Sequence, residues 1–351
     1  MPEILNLQRL SEPERAAIEN VDASVLITDA AGWFNGEVCD TWPTYATRRF
    51  IGEMRDGHGT RAERDAMLAR AEIILGGYPC PLDLVSRAPG LKWFHQRQAG
   101  ANNLHPTDLW GSDVMVSTSR GVNNVLPIAE YVIMGALYFA RGINRAWVDH
   151  EAGAFDRSQY APVVLEGKTL CVTGAGGIGA EAGRLAAALS MRVTGTRSHA
   201  ITDAAELPAG FSEVLGPEGL HKLLAEADYV AVCVQLTDAT SQMFNAAAFA
   251  AMKPGAVLIN ISRGEPVDED ALFDALESGQ VGGAVLDVYV GETEHGPPER
   301  LWNHPNVLIT PHSSGRSEIK TGFGVELFCQ NLRAYLDGRA MQNVIQWDRG
   351  Y

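Results

Sequence analysis

The chain has 351 residues, of which 46% are apolar and 20% are charged, and it carries a formal net charge of −15 at pH 7. Such a length favours two domains over one, and such a composition excludes an intrinsically disordered chain. The negative charge excludes a general nucleic-acid or anionic-membrane surface, because those surfaces need clustered Lys and Arg.

The first residues of the chain, Met1-Pro2-Glu3, lack the charged-then-apolar layout of a secretory signal. No window of the sequence approaches the uninterrupted apolar length that a membrane span needs. Five scattered cysteines without a C-x-x-C pair favour reduced thiols and give no reason to expect a metal. We therefore expect a cytoplasmic protein without nucleic-acid, membrane or metal partners.

Short apolar runs alternate with Ala- and Leu-rich amphipathic stretches along most of the chain, which is typical of strand-helix units around a parallel sheet. In the first third, strands are predicted near 24–28, 72–75, 91–95 and 114–117. The aromatic-rich segment 32–60 shows no clear periodicity and is predicted to be an irregular insertion. It is either a functional lid or interface piece, or a surface flap.

The middle of the chain shows the pattern more clearly. Six strands are predicted there, at 169–173, 192–195, 229–234, 257–261, 284–288 and 307–310. Six strands in this order indicate a complete nucleotide-binding domain. A long helix is predicted at 127–145 and another at 317–336, the second returning to the first domain. We therefore predict an α/β protein with a discontinuous substrate domain, 1–130 plus 317–351, and a dinucleotide-binding domain, 131–316.

A glycine-rich turn follows the first of these six strands and precedes a helical pattern. Gly174, Gly176 and Gly179 form G-x-G-x-x-G in this strand-turn-helix context. The first glycine permits the tight turn, the second lets backbone N–H groups approach a pyrophosphate, and the third lets the helix pack on the strand. Gly177 and Ile178 lie at the helix N-terminus, which favours phosphate. The turn predicts a dinucleotide site.

The next strand ends at Thr196-Arg197-Ser198, where an NAD-binding domain would carry Asp or Glu for the ribose hydroxyls. An arginine can stack on adenine and pair with a 2′-phosphate, which a carboxylate would repel. We therefore expect a preference for NADP(H), with NAD(H) possible. The alternative is that Arg197 is a solvated surface residue and that selectivity is weak.

The last three predicted strands are followed by functional side chains, Arg263, Glu292 and His312 respectively. Because ligands of doubly wound sheets lie at the carboxyl ends of strands, we expect all three in one crevice. Arg263 would bind a substrate carboxylate and polarise a carbonyl, His312 would protonate the developing alkoxide, and Glu292 would orient the imidazole. Ser262 and Asp287 are predicted to contact the cofactor. Each residue alone is ambiguous, and their combination indicates catalysis.

These features and several short motifs resemble the D-2-hydroxyacid dehydrogenase family, which includes glyoxylate and hydroxypyruvate reductases and phosphoglycerate dehydrogenase. The matching motifs are Leu91-Lys92-Trp93, Ala99-Gly100-Ala101, Ser119-Arg120-Gly121, Ala129-Glu130, the glycine-rich turn, Ser262-Arg263-Gly264, Leu286-Asp287-Val288 and Thr310-Pro311-His312. The resemblance runs from about Ala71 to Arg333. The sequence departs from the family at Gln235 and Thr293, where proline is usual.

The resemblance implies an NAD(P)-dependent 2-ketoacid reductase, usually a homodimer, acting on a small 2-keto or (R)-2-hydroxy acid. It implies two Rossmann-like domains, a doubly wound parallel-sheet coenzyme domain and a flavodoxin-like substrate domain, with the active site between them. It also implies that backbone N–H groups around Gly76-Gly77 and Gly100-Ala101 hold the substrate carboxylate beside Arg263.

Two other functions stay open from the sequence. One is a nucleotide-sensing binding protein similar to the corepressors that share this fold and the Arg-Glu-His set. The other is a dehydrogenase of another small anion, such as formate or phosphite. The substrate side chain also stays open, because the aromatic richness of the first domain allows a bulky or aromatic keto acid but core packing explains it equally. The candidate pocket residues are Trp33, Trp42, Tyr78, Pro79 and Trp347.

Overall fold

Strands and helices alternate along the computed structural model, which describes residues 2–53, 55–122, 124–318 and 323–348. In chain order the elements are β1 (Glu3–Asn6), α1 (Glu12–Glu19), β2 (Leu26–Asp29), α2 (Asn35–Thr41), α3 (Thr44–Phe50), α4 (Arg61–Arg70), β3 (Ile73–Gly76), α5 (Leu84–Arg87), β4 (Trp93–Gln96), β5 (Met115–Thr118), α6 (Val125–Ala140), α7 (Ile143–Glu151), β6 (Thr169–Thr173), α8 (Gly177–Ala188), β7 (Arg192–Thr196), β8 (Phe211–Leu215), α9 (Leu220–Leu224), β9 (Tyr229–Val232), α10 (Ala246–Ala251), β10 (Ala256–Asn260), α11 (Glu269–Glu277), β11 (Val281–Leu286), α12 (Glu299–Trp302), β12 (Val307–Ile309) and α13 (Phe323–Leu336).

The chain divides into two compact units. Unit 1 comprises Met1–Asn123, Thr293–His295 and Ile319–Tyr351, and unit 2 comprises Asn124–Glu292 and Gly296–Glu318. The predicted domain boundaries, 1–130 plus 317–351 and 131–316, stay predictions, because compactness alone does not say what each part binds.

Unit 1 is built on a five-stranded parallel sheet in the order β2-β1-β3-β4-β5. This is the strand order of flavodoxin-like sheets, in which the order reverses between β1 and β3. Successive residues of β3 enter different cores, Ile73 and Leu75 on one face and Ile74 on the other. The sheet is buried on both faces, so its strands read as continuous apolar runs. The predicted flavodoxin-like α/β class is confirmed.

Residues 32–60 are not irregular as the sequence predicted, because they contain α2 and α3. Helices of this length complete barely two turns, too few for the apolar periodicity to show. Helix α2 is held by Glu37, whose carboxylate pairs with Arg61, Arg64 and Arg87 from α4 and α5. The segment is therefore a packed part of unit 1.

Unit 2 contains a seven-stranded parallel sheet in the order β12-β11-β10-β9-β6-β7-β8. Read from β8 to β11, this is the 3-2-1-4-5-6 order of dinucleotide-binding sheets, with β12 added at one edge. The predicted doubly wound coenzyme fold is confirmed, with one strand more than predicted. The strand order reverses between β6 and β9, so the carboxyl ends of these two strands mark the expected ligand crevice.

The helix predicted at 127–145 is in fact two helices, because α6 ends at Ala140 and α7 begins at Ile143. Gly142, a weak helix former, lies at the break. Within the described residues, no single helix is long and apolar enough to cross a membrane, and α6 with α7 passes that test only as a pair bent by 63°.

Candidate active site

The glycine-rich turn joins β6 to α8. Gly174 has a φ of +92°, and a Cβ there would lie 2.8 Å from the carbonyl carbon and oxygen of Cys233. A Cβ at Gly179 would lie 2.2 Å from the carbonyl oxygen of Gly174, so α8 packs directly against the turn. At Gly176, by contrast, a Cβ would meet no described atom within 4 Å. The turn is closed on the protein side and open where a phosphate would approach.

Helix α8 begins beside that open space. Its first turn is formed by Gly177, Ile178 and Gly179. The N–H groups of these residues have no acceptor within the helix, because no helical residue lies four positions before them. The aligned peptide dipoles place a partial positive charge at this end of the helix. Gly176 and Gly177 are exposed, so the N-terminus is accessible. A dinucleotide pyrophosphate fits this cradle.

Strand β7 ends beside the same turn. Thr196 is only 4% exposed, and its carbonyl accepts the N–H groups of Gly174 and Ala175 at 3.0 and 2.8 Å. Thr196 therefore holds the turn, and its predicted contact with cofactor stays a prediction. Arg197 and Ser198 are exposed. Within the described residues, the guanidinium of Arg197 has no hydrogen bond or ion pair, which leaves its charge available to a ligand.

The turn that carries Arg263 follows β10. The Asn260 side chain fixes it, since Oδ1 accepts both the N–H and the Oγ–H of Ser262 at 3.0 Å, while Nδ2 donates to the Arg263 carbonyl at 2.6 Å. The Arg263 guanidinium donates to the Ser262 carbonyl at 2.7 Å through Nη1. Ser262 is 6% exposed, so this residue, predicted to contact the cofactor, also supports the arginine turn. The sequence analysis missed Asn260, a polar residue ending an otherwise apolar strand.

Asp287 follows β11 and is completely buried. Its Oδ1 accepts the Thr310 hydroxyl at 2.6 Å and the Ser313 N–H at 2.7 Å, and its Oδ2 accepts the Ser314 N–H at 2.9 Å. Its backbone carbonyl accepts the His312 N–H at 2.8 Å. Asp287 therefore holds the loop that carries His312, and its predicted contact with the cofactor stays a prediction.

Tyr131, on α6, extends this network. Its hydroxyl lies 2.5 Å from the Thr310 hydroxyl oxygen. Because Thr310 donates its single hydroxyl proton to Asp287 Oδ1, the Thr310 oxygen must accept a hydrogen bond from the Tyr131 hydroxyl. Burial raises the pKa of Tyr131, so the phenol keeps the proton that it donates. No local sequence signal marks Tyr131, because its partner is 179 residues away.

His312 and Glu292 form the pair that the sequence predicted. The imidazole Nδ1 lies 2.8 Å from one Glu292 carboxylate oxygen and 3.1 Å from the other. The His312 side chain is 33% exposed and that of Glu292 only 12%, so the ring lies between the carboxylate and solvent. His312 has a φ of +50°, a sparsely populated conformation for a non-glycine residue that often marks a functional position.

The three catalytic candidates lie at one edge of the unit 2 sheet. Arg263, Glu292 and His312 follow β10, β11 and β12, which are neighbours in that order. Backbone hydrogen bonds join the strand ends, from the Asp287 N–H to the Asn260 carbonyl at 3.0 Å and from the Thr310 N–H to the Leu286 carbonyl at 2.9 Å. The edge combines a cation with a hydrogen-bonded acid-base pair.

Unit 1 has its own group of backbone donors where β3 and β4 end. The residues at these positions, Gly76, Gly77, Gly100 and Ala101, are buried. In the part of the chain that the structure describes, the N–H groups of Gly77, Gly100 and Ala101 donate no hydrogen bond. These three N–H groups are therefore available to an acceptor such as a carboxylate.

Other buried titratable groups do not suit acid-base or nucleophilic work. Burial lowers the pKa of His95 to about 3, which keeps the ring neutral between the hydroxyls of Ser117 and Ser119. Burial likewise raises the pKa of the Cys80 and Cys171 thiols to about 12, so they stay protonated near neutral pH. The candidate acid-base group is therefore His312, at the carboxyl edge of the unit 2 sheet.

The chain is similar to several known proteins. Residues 133–314, just over half of the chain, match the family model described as D-isomer specific 2-hydroxyacid dehydrogenase, NAD binding domain. The chain is 34% identical over 280 residues to D-3-phosphoglycerate dehydrogenase 2, chloroplastic, of Arabidopsis thaliana, covering 76% of this chain and 41% of that protein. It is 31% identical over 276 residues to the glyoxylate reductase of Thermococcus litoralis, covering 76% and 80%.

The chain spans between 34% and 56% of the length of the four phosphoglycerate dehydrogenases compared with it. Among solved structures, it is similar to a D-isomer specific 2-hydroxyacid dehydrogenase from Xanthobacter autotrophicus Py2 that was crystallised with NADPH and MES. The TM-score is 0.78 at 24% identity, covering 100% of this chain and 99% of that chain. At this identity the likeness shows the fold alone.

Proposed function

The chain belongs to the D-isomer specific 2-hydroxyacid dehydrogenase family, and on this basis we propose that it transfers a hydride between NAD(P)H and a small 2-keto or (R)-2-hydroxy acid. The observation that carries the proposal is the His312–Glu292 pair, joined at 2.8 Å on the sheet edge that also carries Arg263. The test is reduction of a 2-keto acid, followed as loss of reduced-nicotinamide absorbance. If no 2-keto acid is reduced, the proposal is wrong.

Each residue of the edge has a separate task. Arg263 binds the substrate carboxylate through its planar fork and polarises the keto oxygen. His312 presents Nδ1 to Glu292, so its proton is exchanged through Nε2 on the other side of the ring. In reduction, His312 gives that proton to the oxygen that gains negative charge, and in oxidation it takes the proton back. The dinucleotide, when bound, supplies or accepts the hydride.

We also assign the two units separate roles. The N–H groups of Gly77, Gly100 and Ala101, with the adjoining Gly76, bind a substrate carboxylate, which makes residues 1–130 plus 317–351 the substrate domain. Residues 131–316 bind the dinucleotide, whose pyrophosphate lies at the N-terminus of α8. The three backbone donors without a partner in the described residues support the first role, and the open glycine turn supports the second.

The cofactor is proposed to be NADP(H) in preference to NAD(H), because the exposed Arg197 offers its charge beside the glycine-rich turn. Replacing Arg197 with aspartate is expected to lower kcat/KM for NADPH by roughly 10- to 100-fold, since it removes charge-assisted hydrogen bonds to the 2′-phosphate and adds repulsion. The value for NADH should stay level or rise, because a carboxylate can accept from the ribose hydroxyls.

Arg192→Ala is the control for this cofactor test. Arg192 begins β7, at the strand end opposite Arg197, and pairs with Glu226 at 2.5 Å, so its loss should leave both cofactors unaffected. Equal use of NADPH and NADH by the unsubstituted protein, with no change in Arg197→Asp, would show that Arg197 is a solvated surface residue.

We propose further that the protein is a homodimer through an apolar face on α6 and α7. Large apolar side chains are exposed there, among them Met134, Leu137, Ile143 and Trp147, the last 63% exposed. Residues three or four apart share one side of a helix, which places the first two together and the last two together. Exposed apolar surface beyond scattered single residues commonly marks a protein interface.

Replacing Trp147 with aspartate is therefore expected to convert the dimer to a monomer, because a charge would be buried without a partner. Light scattering coupled to size-exclusion chromatography gives the mass directly. Trp302→Asp is the matched control, since Trp302 is a similarly exposed tryptophan, at 57%, on a different helix, α12. A dimer that survives Trp147→Asp, or a monomeric parent protein, would contradict the assignment.

A further inference from the structure

Two helices of the segment 32–60 bring aromatic rings onto Tyr78. The ring of Trp42, which follows α2, lies 5.0 Å from the Tyr78 ring at an interplanar angle of 86°, and that of Phe50, the last residue of α3, lies 4.9 Å away at 82°. The Trp42 indole N–H also donates to the Cys80 carbonyl at 2.6 Å. The segment 32–60 therefore packs against the loop that follows β3.

This aromatic group lies next to the backbone donors of unit 1. Tyr78 directly follows Gly77, one of the residues whose N–H has no partner within the described part of the chain. The Gln98 side chain accepts the Tyr78 N–H at 3.0 Å, which ties the loop after β3 to the loop after β4. In that second loop, the Gln96 amide donates to the carbonyl of Gly100 at 2.5 Å. The donors and the rings therefore belong to one framework.

The rings differ in accessibility. Trp42 is 8% exposed and serves as the support, whereas Phe50 is 44% exposed and Tyr45, on the same helix, is 40% exposed. Aromatic rings pair edge to face or offset at centroid distances of roughly 4.5 to 7 Å, so the exposed surface of such a cluster can pack against a further ring. The Phe50 edge offers no hydrogen bond to a hydroxyl or phosphate group.

We propose that the substrate is a 2-keto acid with an aromatic or bulky apolar side chain, which packs against Phe50 and Tyr78 while its carboxylate meets the N–H groups beside them. The inference rests on the proposed reductase function and adds the substrate class to it. It gives the segment 32–60 a role in specificity: α2 and α3 supply the apolar surface that selects the side chain.

The experiment compares kcat/KM of the full chain with NADPH for phenylpyruvate, glyoxylate and phosphohydroxypyruvate. We expect phenylpyruvate to be favoured by at least about tenfold, the scale set by burying an aromatic side chain against other rings. Phe50→Ala should lower kcat/KM for phenylpyruvate about tenfold and change that for glyoxylate less than about twofold. Trp302→Ala, an exposed aromatic of α12 in unit 2, is the control and should change neither.

A preference for glyoxylate or phosphohydroxypyruvate, or an equal effect of Phe50→Ala on all acids, would overturn the aromatic assignment and leave the reductase function standing. Turnover on none of the acids would remove the reductase function instead. In that event, calorimetric titration of phenylpyruvate into the parent protein and into Phe50→Ala tests the aromatic binding surface by itself. Binding that the substitution weakens about tenfold supports the surface, and absence of binding to the parent protein rejects it. Matched melting temperatures show that each variant is folded.

Discussion

Replacing Arg263 with alanine is expected to lower kcat/KM for any 2-keto acid by about 1,000-fold, while the affinity for NADPH changes less than about threefold. The two parts of the prediction have different origins. The guanidinium forms two charge-assisted hydrogen bonds with a carboxylate, together worth roughly 3 to 5 kcal/mol. The phosphates of the dinucleotide are proposed to bind at the glycine-rich turn, which Arg263 does not form. Steady-state kinetics and fluorescence titration of NADPH measure the two effects.

Arg263→Lys is the companion variant for this test. It keeps the positive charge and loses the planar fork, so its activity should lie between those of the parent and Arg263→Ala. Arg300→Ala is the control, since Arg300 is an exposed residue of α12 that pairs with Asp270. Substantial turnover by Arg263→Ala would contradict the proposed role of Arg263 in binding the substrate carboxylate.

Replacing His312 with glutamine is expected to lower kcat by a factor of about 100 to 10,000, the usual contribution of a general acid or base. Glutamine can still hydrogen-bond to Glu292, so the loop should keep its conformation, but it cannot give up a proton near neutral pH. The NADPH affinity should be unchanged. Steady-state kinetics measures kcat, and fluorescence titration measures the NADPH affinity.

Glu292→Gln tests how the carboxylate acts on His312. Reduction requires the imidazolium, which a neighbouring negative charge stabilises. Without that charge, the reduction rate should fall by about tenfold. Glutamine can still hydrogen-bond to His312 Nδ1, so a purely structural role of Glu292 would leave the rate close to that of the parent protein. An unchanged reduction rate in Glu292→Gln, measured by steady-state kinetics, would therefore reject the proposed electrostatic role.

Strands buried on both faces could be predicted well, because continuous apolar runs bounded by turn residues leave few alternatives. The strands containing Ile74, Val172 and Leu258 lie close to their predicted positions. Two strands were missed. In β1 only two apolar residues stand together, Ile4 and Leu5, and β8 lies at the sheet edge, where polar residues interrupt the apolar pattern.

The candidate site could be predicted only where the candidate residues lie next to strand ends. Arg263, Glu292 and His312 follow three adjacent strands, so the parallel topology itself predicts their common edge. Tyr131 and Asn260 could not be predicted, because hydrogen bonds between distant elements leave no periodic signal in the sequence. The internal bonds of Asp287 were missed for the same reason, since three of its partners are a side-chain hydroxyl and two backbone N–H groups.

The segment 32–60 shows a different limit. Its aromatic residues were noted from the sequence, but core packing and substrate binding explain such residues equally. The structure separates them by burial: Trp42 is packed inside unit 1, whereas Phe50 and Tyr45 are exposed. This difference depends on how two short helices fold against Tyr78, which no local pattern specifies.

The central claim is hydride transfer between NADP(H) and a 2-keto acid, and its most direct test is the loss of reduced-nicotinamide absorbance with NADPH and then NADH. The substrates are glyoxylate, hydroxypyruvate, pyruvate and phenylpyruvate. Turnover with at least one acid, faster with NADPH than with NADH, is the predicted result. Turnover with NADH alone would keep the reductase and reject the role of Arg197. If none of the cofactor and acid pairs gives turnover, the proposed hydride transfer is contradicted.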